Sequence, residues 1–298
     1  MLRGAHEPAL KLLAAELVRR VVRTLTPLAI PVMPLKGVLW QATLYGPHES
    51  RPLADVDLLV PAEAFDAAAA ALLAAGFVYP PGSADSHEDF ASWEGALPLP
   101  ELWRQLVTGY TRERELSSAE LPLLVDLHRS VFARGRYSLS TRALFERAHH
   151  DTALFGVPVW VPHPLDQLAH LLGHLATDHR PGNAMYRADF ERLLTHERLL
   201  PLAAAEHLER HGLARAARFA LRELDSPNTQ GWVEACVREM RPDRLGDLLA
   251  ESARTLVNRV GRFSPWSALV GHGLNSDPRQ IAKALSWAAI ARLRARLL

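Results

Sequence analysis

The run Asp55-Val56-Asp57-Leu58-Leu59-Val60 constrains this chain more than any other segment. Leu58 to Val60 reads as a buried strand, and aspartate is depleted in strands. Two of them at i and i+2 point to the same face of the strand. Like charges so placed repel unless a cation lies between them or one keeps its proton. A divalent ion is the economical solution, and carboxylate oxygens suit hard ions such as magnesium. The bland alternative is that Asp55 caps the strand entry while Asp57 pairs with Arg51. The cost of burying carboxylates in an apolar strand favours the ion. Lys36-Gly37 lies upstream and Arg51 just before the first aspartate, a combination that suggests polyphosphate chemistry.

Composition narrows the classes. The chain has 298 residues, 48% hydrophobic and 22% charged, which suits a soluble globular protein with one large domain or two smaller ones. A formal net charge of +1 provides no global field for a nucleic acid or a membrane. Lysine occurs only at Lys11, Lys36 and Lys283, so Lys36 stands where arginine is this chain's default cation. A compact ammonium on a phosphate is one reason to keep it. Cys236 is the only cysteine, which excludes an intramolecular disulfide and a thiolate zinc site. Its place in a predicted helix marks it as a small apolar packing residue. No apolar stretch is long and uncharged enough to span a bilayer, and a cytoplasmic location is expected.

Periodicity predicts a helix over His6–Leu25, a strand over Ala29–Leu35 ending at Lys36-Gly37, and a helix over Val38–Tyr45. Residues 46–52 form a loop by their Gly and Pro punctuation, and Ala62–Ala75 a helix closed by Gly76. Pro80–Leu99 reads as an irregular excursion. Leu106–Glu115 and Leu121–His128 are expected to pair antiparallel, and Val157–Val161 is a short strand. Helices follow at about 165–179, 185–199, 202–211, 213–224, 232–254 and 279–297. The pattern implies an α+β domain over residues 1–162 and an all-helical domain over 163–298 that shapes the acceptor site.

Asp126 ends the apolar run Leu121–His128. If that strand lies beside Asp55–Val60, then Asp55, Asp57 and Asp126 converge on one face, as a two-metal phosphoryl-transfer site requires. Asp126 would then hold the second metal and take the acceptor's proton. Taken alone, it also fits an ion pair with His128 or Arg129.

The string Leu35-Lys36-Gly37, Tyr45, Arg51, Asp55-Val56-Asp57-Leu58-Leu59-Val60, followed by Val125-Asp126-Leu127-His128, resembles a bacterial nucleotidyltransferase-like family. That family belongs to the polymerase-β-type nucleotidyltransferase superfamily, and the matching motifs cover about residues 30–130. The resemblance implies a small mixed sheet flanked by helices. It also implies Asp55 and Asp57 as metal ligands, Asp126 as the third carboxylate, and Mg2+ with a nucleoside triphosphate as co-substrate. Lys36 and Gly37 would hold phosphates, while Arg51 either binds the triphosphate or neutralises Asp55. The superfamily's usual Gly-Ser or Gly-Gly pair is absent, Gly37 being flanked by Lys36 and Val38. The acceptor is left open among a small molecule, a peptide, a protein side chain and a tRNA end.

A second cluster lies on the helix over 165–179. His170 and His174 are i and i+4 and share a face. No glutamate follows the first histidine as in H-E-x-x-H. Core packing is one reading, and an acceptor-side pair of His174 with Asp189 is the other. Two rival functions follow: a non-catalytic nucleotide- or partner-binding protein that keeps the fold, and a metal-dependent phosphohydrolase centred on His170, His174 and Asp189.

Overall fold

The computed structural model describes residues 7–79, 113–118, 121–132, 136–177, 184–224, 226–248 and 251–252. The predicted excursion over Pro80–Leu99, the first part of the strand expected from Leu106 and the helix expected over 279–297 lie outside these residues. Contacts divide the chain into two compact units. One comprises Met1–Val131 with Ser140–His163, the other Phe132–Leu139 with Pro164–Leu298.

The first unit is built on a five-stranded sheet in the order β1-β2-β5-β4-β3. The strands are β1 (Met33–Pro34), β2 (Asp55–Leu59), β3 (Phe77–Val78), β4 (Glu113–Ser118) and β5 (Leu121–His128). Only β2 and β5 run parallel; the other pairs are antiparallel, as predicted for β4 with β5. The sheet is therefore mixed, and the chain is α+β. Val56, Leu58, Val125 and Leu127 alternate with the acidic positions of the two central strands and are fully buried. Helix α1 (Glu7–Leu25) packs against β2, β5 and α3 (Phe65–Ala74). Burying one apolar face in this way leaves the other face to carry polar groups.

The structure differs from the sequence reading at three places in this unit. The strand expected over Ala29–Leu35 shrinks to Met33–Pro34, because a 3-10 turn at Thr26–Leu28 ends in Ala29 with left-handed φ 53°. Pro34 is tolerated there because β1 is an edge strand of this sheet. Helix α2 spans Lys36–Thr43, so Lys36 and Gly37 form its first turn rather than a loop before it. A two-stranded sheet of β6 (His149–Asp151) and β7 (Val159–Val161) follows α4 (Thr141–Arg147), and Trp160 N–H donates to Val32 O.

The second unit is helical: α5 (Pro164–Thr177), α6 (Ala184–Glu197), α7 (Pro201–Arg210), α8 (Ala214–Leu224) and α9 (Gln230–Glu239). Gly173 lets α5 approach its neighbours. A Cβ there would lie 2.5 Å from Phe132 and 2.9 Å from Leu213. One expectation is corrected: α9 does not run to residue 254. It ends at Glu239, and Met240 turns extended ahead of Arg241-Pro242. Proline supplies no N–H and disfavours helical backbone before it. Among the described residues, no helix is long and apolar enough to cross a membrane.

Candidate active site

The parallel register of β2 and β5 sets Asp57 opposite Asp126, Asp55 opposite Leu124 and Leu59 opposite His128. Asp55 and Asp57 share a face by the period of two, and Asp126 and His128 do so for the same reason. Ligand atoms of Asp57, Asp126 and His128 all lie within 4.8 Å of one another. Among the described residues this is the only group of three or more His, Cys, Asp or Glu side chains so assembled.

Lys36 reaches the same place from β1. The antiparallel β1–β2 ladder continues past Pro34 with Leu35 N–H donating to Asp57 O at 3.0 Å. Lys36 follows with left-handed φ 45°, a conformation costing a non-glycine residue about 1–2 kcal/mol. Its ammonium donates to Asp57 Oδ1 at 2.6 Å, and His128 Nε2 meets the same oxygen at 2.9 Å. The Asp57 side chain is only 4% exposed, so these two groups replace water as its partners.

The electrostatics of the two aspartates diverge. For Asp57, burial pushes the carboxyl up, but Lys36 and His128 outweigh it and hold the group well below the usual carboxylate range. Asp55 moves up, first because burial disfavours its charge and next because Asp57 is already negative. Both remedies for adjacent carboxylates are thus present: the Lys36 ammonium on one, and a proton held more tightly by the other.

Gly37 and Arg51 pack against each other. The left-handed backbone belongs to Lys36, not to Gly37. A Cβ on Gly37 would come within 2.5 Å of Arg51 Nη1 and 3.0 Å of Leu53 Cδ2. The Arg51 guanidinium is buried 5.5 Å from the Trp40 ring centroid and donates to Pro52 O, while Arg51 N–H donates to Gln41 Oε1. Arg51 also acts at a distance as one of the cations that draw Asp55 down.

The structure does not gather His170, His174 and Asp189 into a three-ligand group. The His170 and His174 rings are 5.9 Å apart; His170 packs edge-on against Phe132 and His174 against Tyr186. The site imagined for a histidine-centred phosphohydrolase is not formed by these residues. Elsewhere, His207 Nε2 on α7 lies 2.9 Å from Asp166 Oδ1 in the first turn of α5, both side chains buried.

His128 is the residue that sequence reasoning left out of the site. Its signal was available, since it stands two residues beyond Asp126 and therefore on the same strand face. Two carboxylates and an imidazole make a mixed oxygen–nitrogen donor set that fits a divalent ion.

A mixed sheet with carboxylates on adjacent strands, an imidazole and a lysine beside them is a site able to hold a divalent ion. The chain matches, over residues 7–225, the model of a family described as uncharacterised nucleotidyltransferase, and it belongs to that family. No curated protein matches it.

Proposed function

We infer that the protein is a metal-dependent nucleotidyltransferase that moves a nucleoside monophosphate from a nucleoside triphosphate to an acceptor hydroxyl or phosphate, releasing pyrophosphate. The observation that carries this reading is the meeting of Asp57, Asp126 and His128 beside the Lys36 ammonium. Asp57 and Asp55 would hold Mg2+, with Asp126 holding a second ion; His128 would complete the donor set and equally admit Mn2+. When bound, the ions would supply charge neutralisation of the triphosphate and of the reacting oxygens.

The remaining roles fall to side chains of this chain. Asp126, less buried than Asp57, takes the proton of the attacking hydroxyl as general base. Lys36 binds the phosphates, and the bond that breaks is the one between the α-phosphorus and the bridging oxygen of pyrophosphate. Arg51 packs against Gly37 in the first turn of α2 and adds positive charge toward Asp55. A nucleoside triphosphate substrate implies a cytoplasmic setting.

Calorimetry with ATP, GTP, CTP and UTP, with and without Mg2+ or Mn2+, tests the reading. At least one triphosphate should bind only with the metal. Binding of none, or metal-independent binding of all four, overturns it. Metal-dependent binding that never leads to pyrophosphate release with any acceptor class would favour the non-catalytic alternative.

A further inference from the structure

Asp57 Oδ1 accepts from Lys36 Nζ at 2.6 Å and meets His128 Nε2 at 2.9 Å. The same side chain belongs to the group able to hold a divalent ion. An ammonium and a divalent cation drawing on one buried carboxylate repel each other strongly at a few ångströms. Lys36 must therefore leave Asp57, or lengthen that contact, before an ion can be held there. The side chain is suited to this, because a single ammonium on a flexible four-carbon stem can change partners where a bidentate arginine fork would not. The stem starts from a backbone already fixed beside Asp57 by the hydrogen bond from Leu35 N–H to Asp57 O.

Resting on the nucleotidyltransferase reading, we propose that Lys36 is the resident counter-ion of Asp57 in the metal-free protein and yields it only when an ion arrives with a triphosphate. Charge decides the order. A bare divalent ion would have to displace the Lys36 ammonium from Asp57 with no new anion to receive it. A triphosphate brings the negative charge that takes up the released ammonium. The site then selects the metal–triphosphate complex over the free ion, and an idle protein is kept from filling with metal.

The test is a titration of the full chain with Mn2+, followed by electron paramagnetic resonance of the free ion. Wild type, Lys36→Met and Lys36→Gln are compared, alone and with a triphosphate carrying a methylene between the α and β phosphorus atoms. Circular dichroism checks the fold of each variant. Both variants should bind Mn2+ alone at least about tenfold more tightly than wild type, because the competing cation is gone. Both should bind the Mn2+–triphosphate complex about ten- to hundredfold more weakly, the loss of one charge-assisted contact. A purely structural lysine would not give opposite signs. Unchanged or weaker affinity for Mn2+ alone in both variants overturns the proposal. Tighter Mn2+ binding in both variants, with no triphosphate binding by any of the three proteins, keeps Lys36 as counter-ion and overturns the nucleotide reading instead.

Discussion

Lys36 and Asp57 stand 21 residues apart in sequence, yet their side chains meet at 2.6 Å. Side-chain exposures of 15% and 4% make this a largely buried ion pair. Removing one partner of such a pair leaves the other charge with too little solvation, a loss of about 3–5 kcal/mol when burial is complete. Residual exposure of Lys36 lowers that figure. In buffer with EDTA, Lys36→Met and Asp57→Asn should each destabilise by about 2–3 kcal/mol, and the double variant by clearly less than their sum. Urea unfolding of the four proteins measures the cycle, and strict additivity would deny the coupling. The depressed Asp57 carboxyl adds a pH signature. Its contribution is complete above the unfolded carboxylate range and is lost as pH falls below about 4.

Asp55→Asn should act in the opposite direction. The native carboxyl is raised by burial and by the Asp57 charge, so the unfolded chain ionises it more easily. Stability therefore falls as pH rises through the carboxylate range, and the cost persists at neutrality. Replacing the charge by an amide should stabilise the metal-free protein by about 1 kcal/mol while impairing metal binding. Thermal melts in EDTA at pH 7 provide the check; a destabilised variant would mean that Asp55 makes a needed contact.

Asp126→Asn separates acceptor chemistry from nucleotide binding. Asp126 lies opposite Asp57 in register but is less buried, so its amide isostere should leave the fold and the triphosphate affinity largely intact. Transfer should fall by about 10²–10⁴-fold, the usual contribution of a positioned base. Turnover equal to wild type would return Asp126 to a strand-end ion pair.

Gly37→Ala places a methyl group 2.5 Å from Arg51 Nη1 and 3.0 Å from Leu53 Cδ2. Arg51 is buried and held at Trp40 and Pro52, so it has little room to yield. Overpacking of this kind costs about 1–3 kcal/mol. A melting temperature equal to wild type would show that the guanidinium moves aside without penalty.

Cys236 should be inert in the native protein. It is fully buried, and burial pushes its thiol up to about 12. A disulfide exchange reagent at pH 8 should label it only after unfolding. Stability should also decline as pH climbs from the thiol's ordinary 9.0 toward 12, since only the unfolded chain ionises it there. Rapid labelling without denaturant would contradict the packing.

Local pattern carried a large part of this protein. The strand at Asp55–Leu59, the helix after Gly37, the helical second half and the same-face placement of Asp55 with Asp57 all follow from periods of 2 and 3.6 residues, which each segment expresses by itself. The retained lysine at position 36 was visible against an arginine background. Other features depended on strands meeting across long stretches of chain. The parallel register that sets Asp57 opposite Asp126 joins segments some seventy residues apart, and no periodicity encodes which strands become neighbours. His128 became part of the site only through that pairing, although its spacing from Asp126 had already placed both on one face. Gly37 showed the same division. Its sequence context suggested a phosphate turn, and only the folded chain shows that Arg51 packs where a Cβ would stand. Sequence determined which chemistry each strand and helix could carry; the tertiary structure decided which charges would face one another, because burial and neighbouring groups set the state of a carboxylate only after the chain has folded.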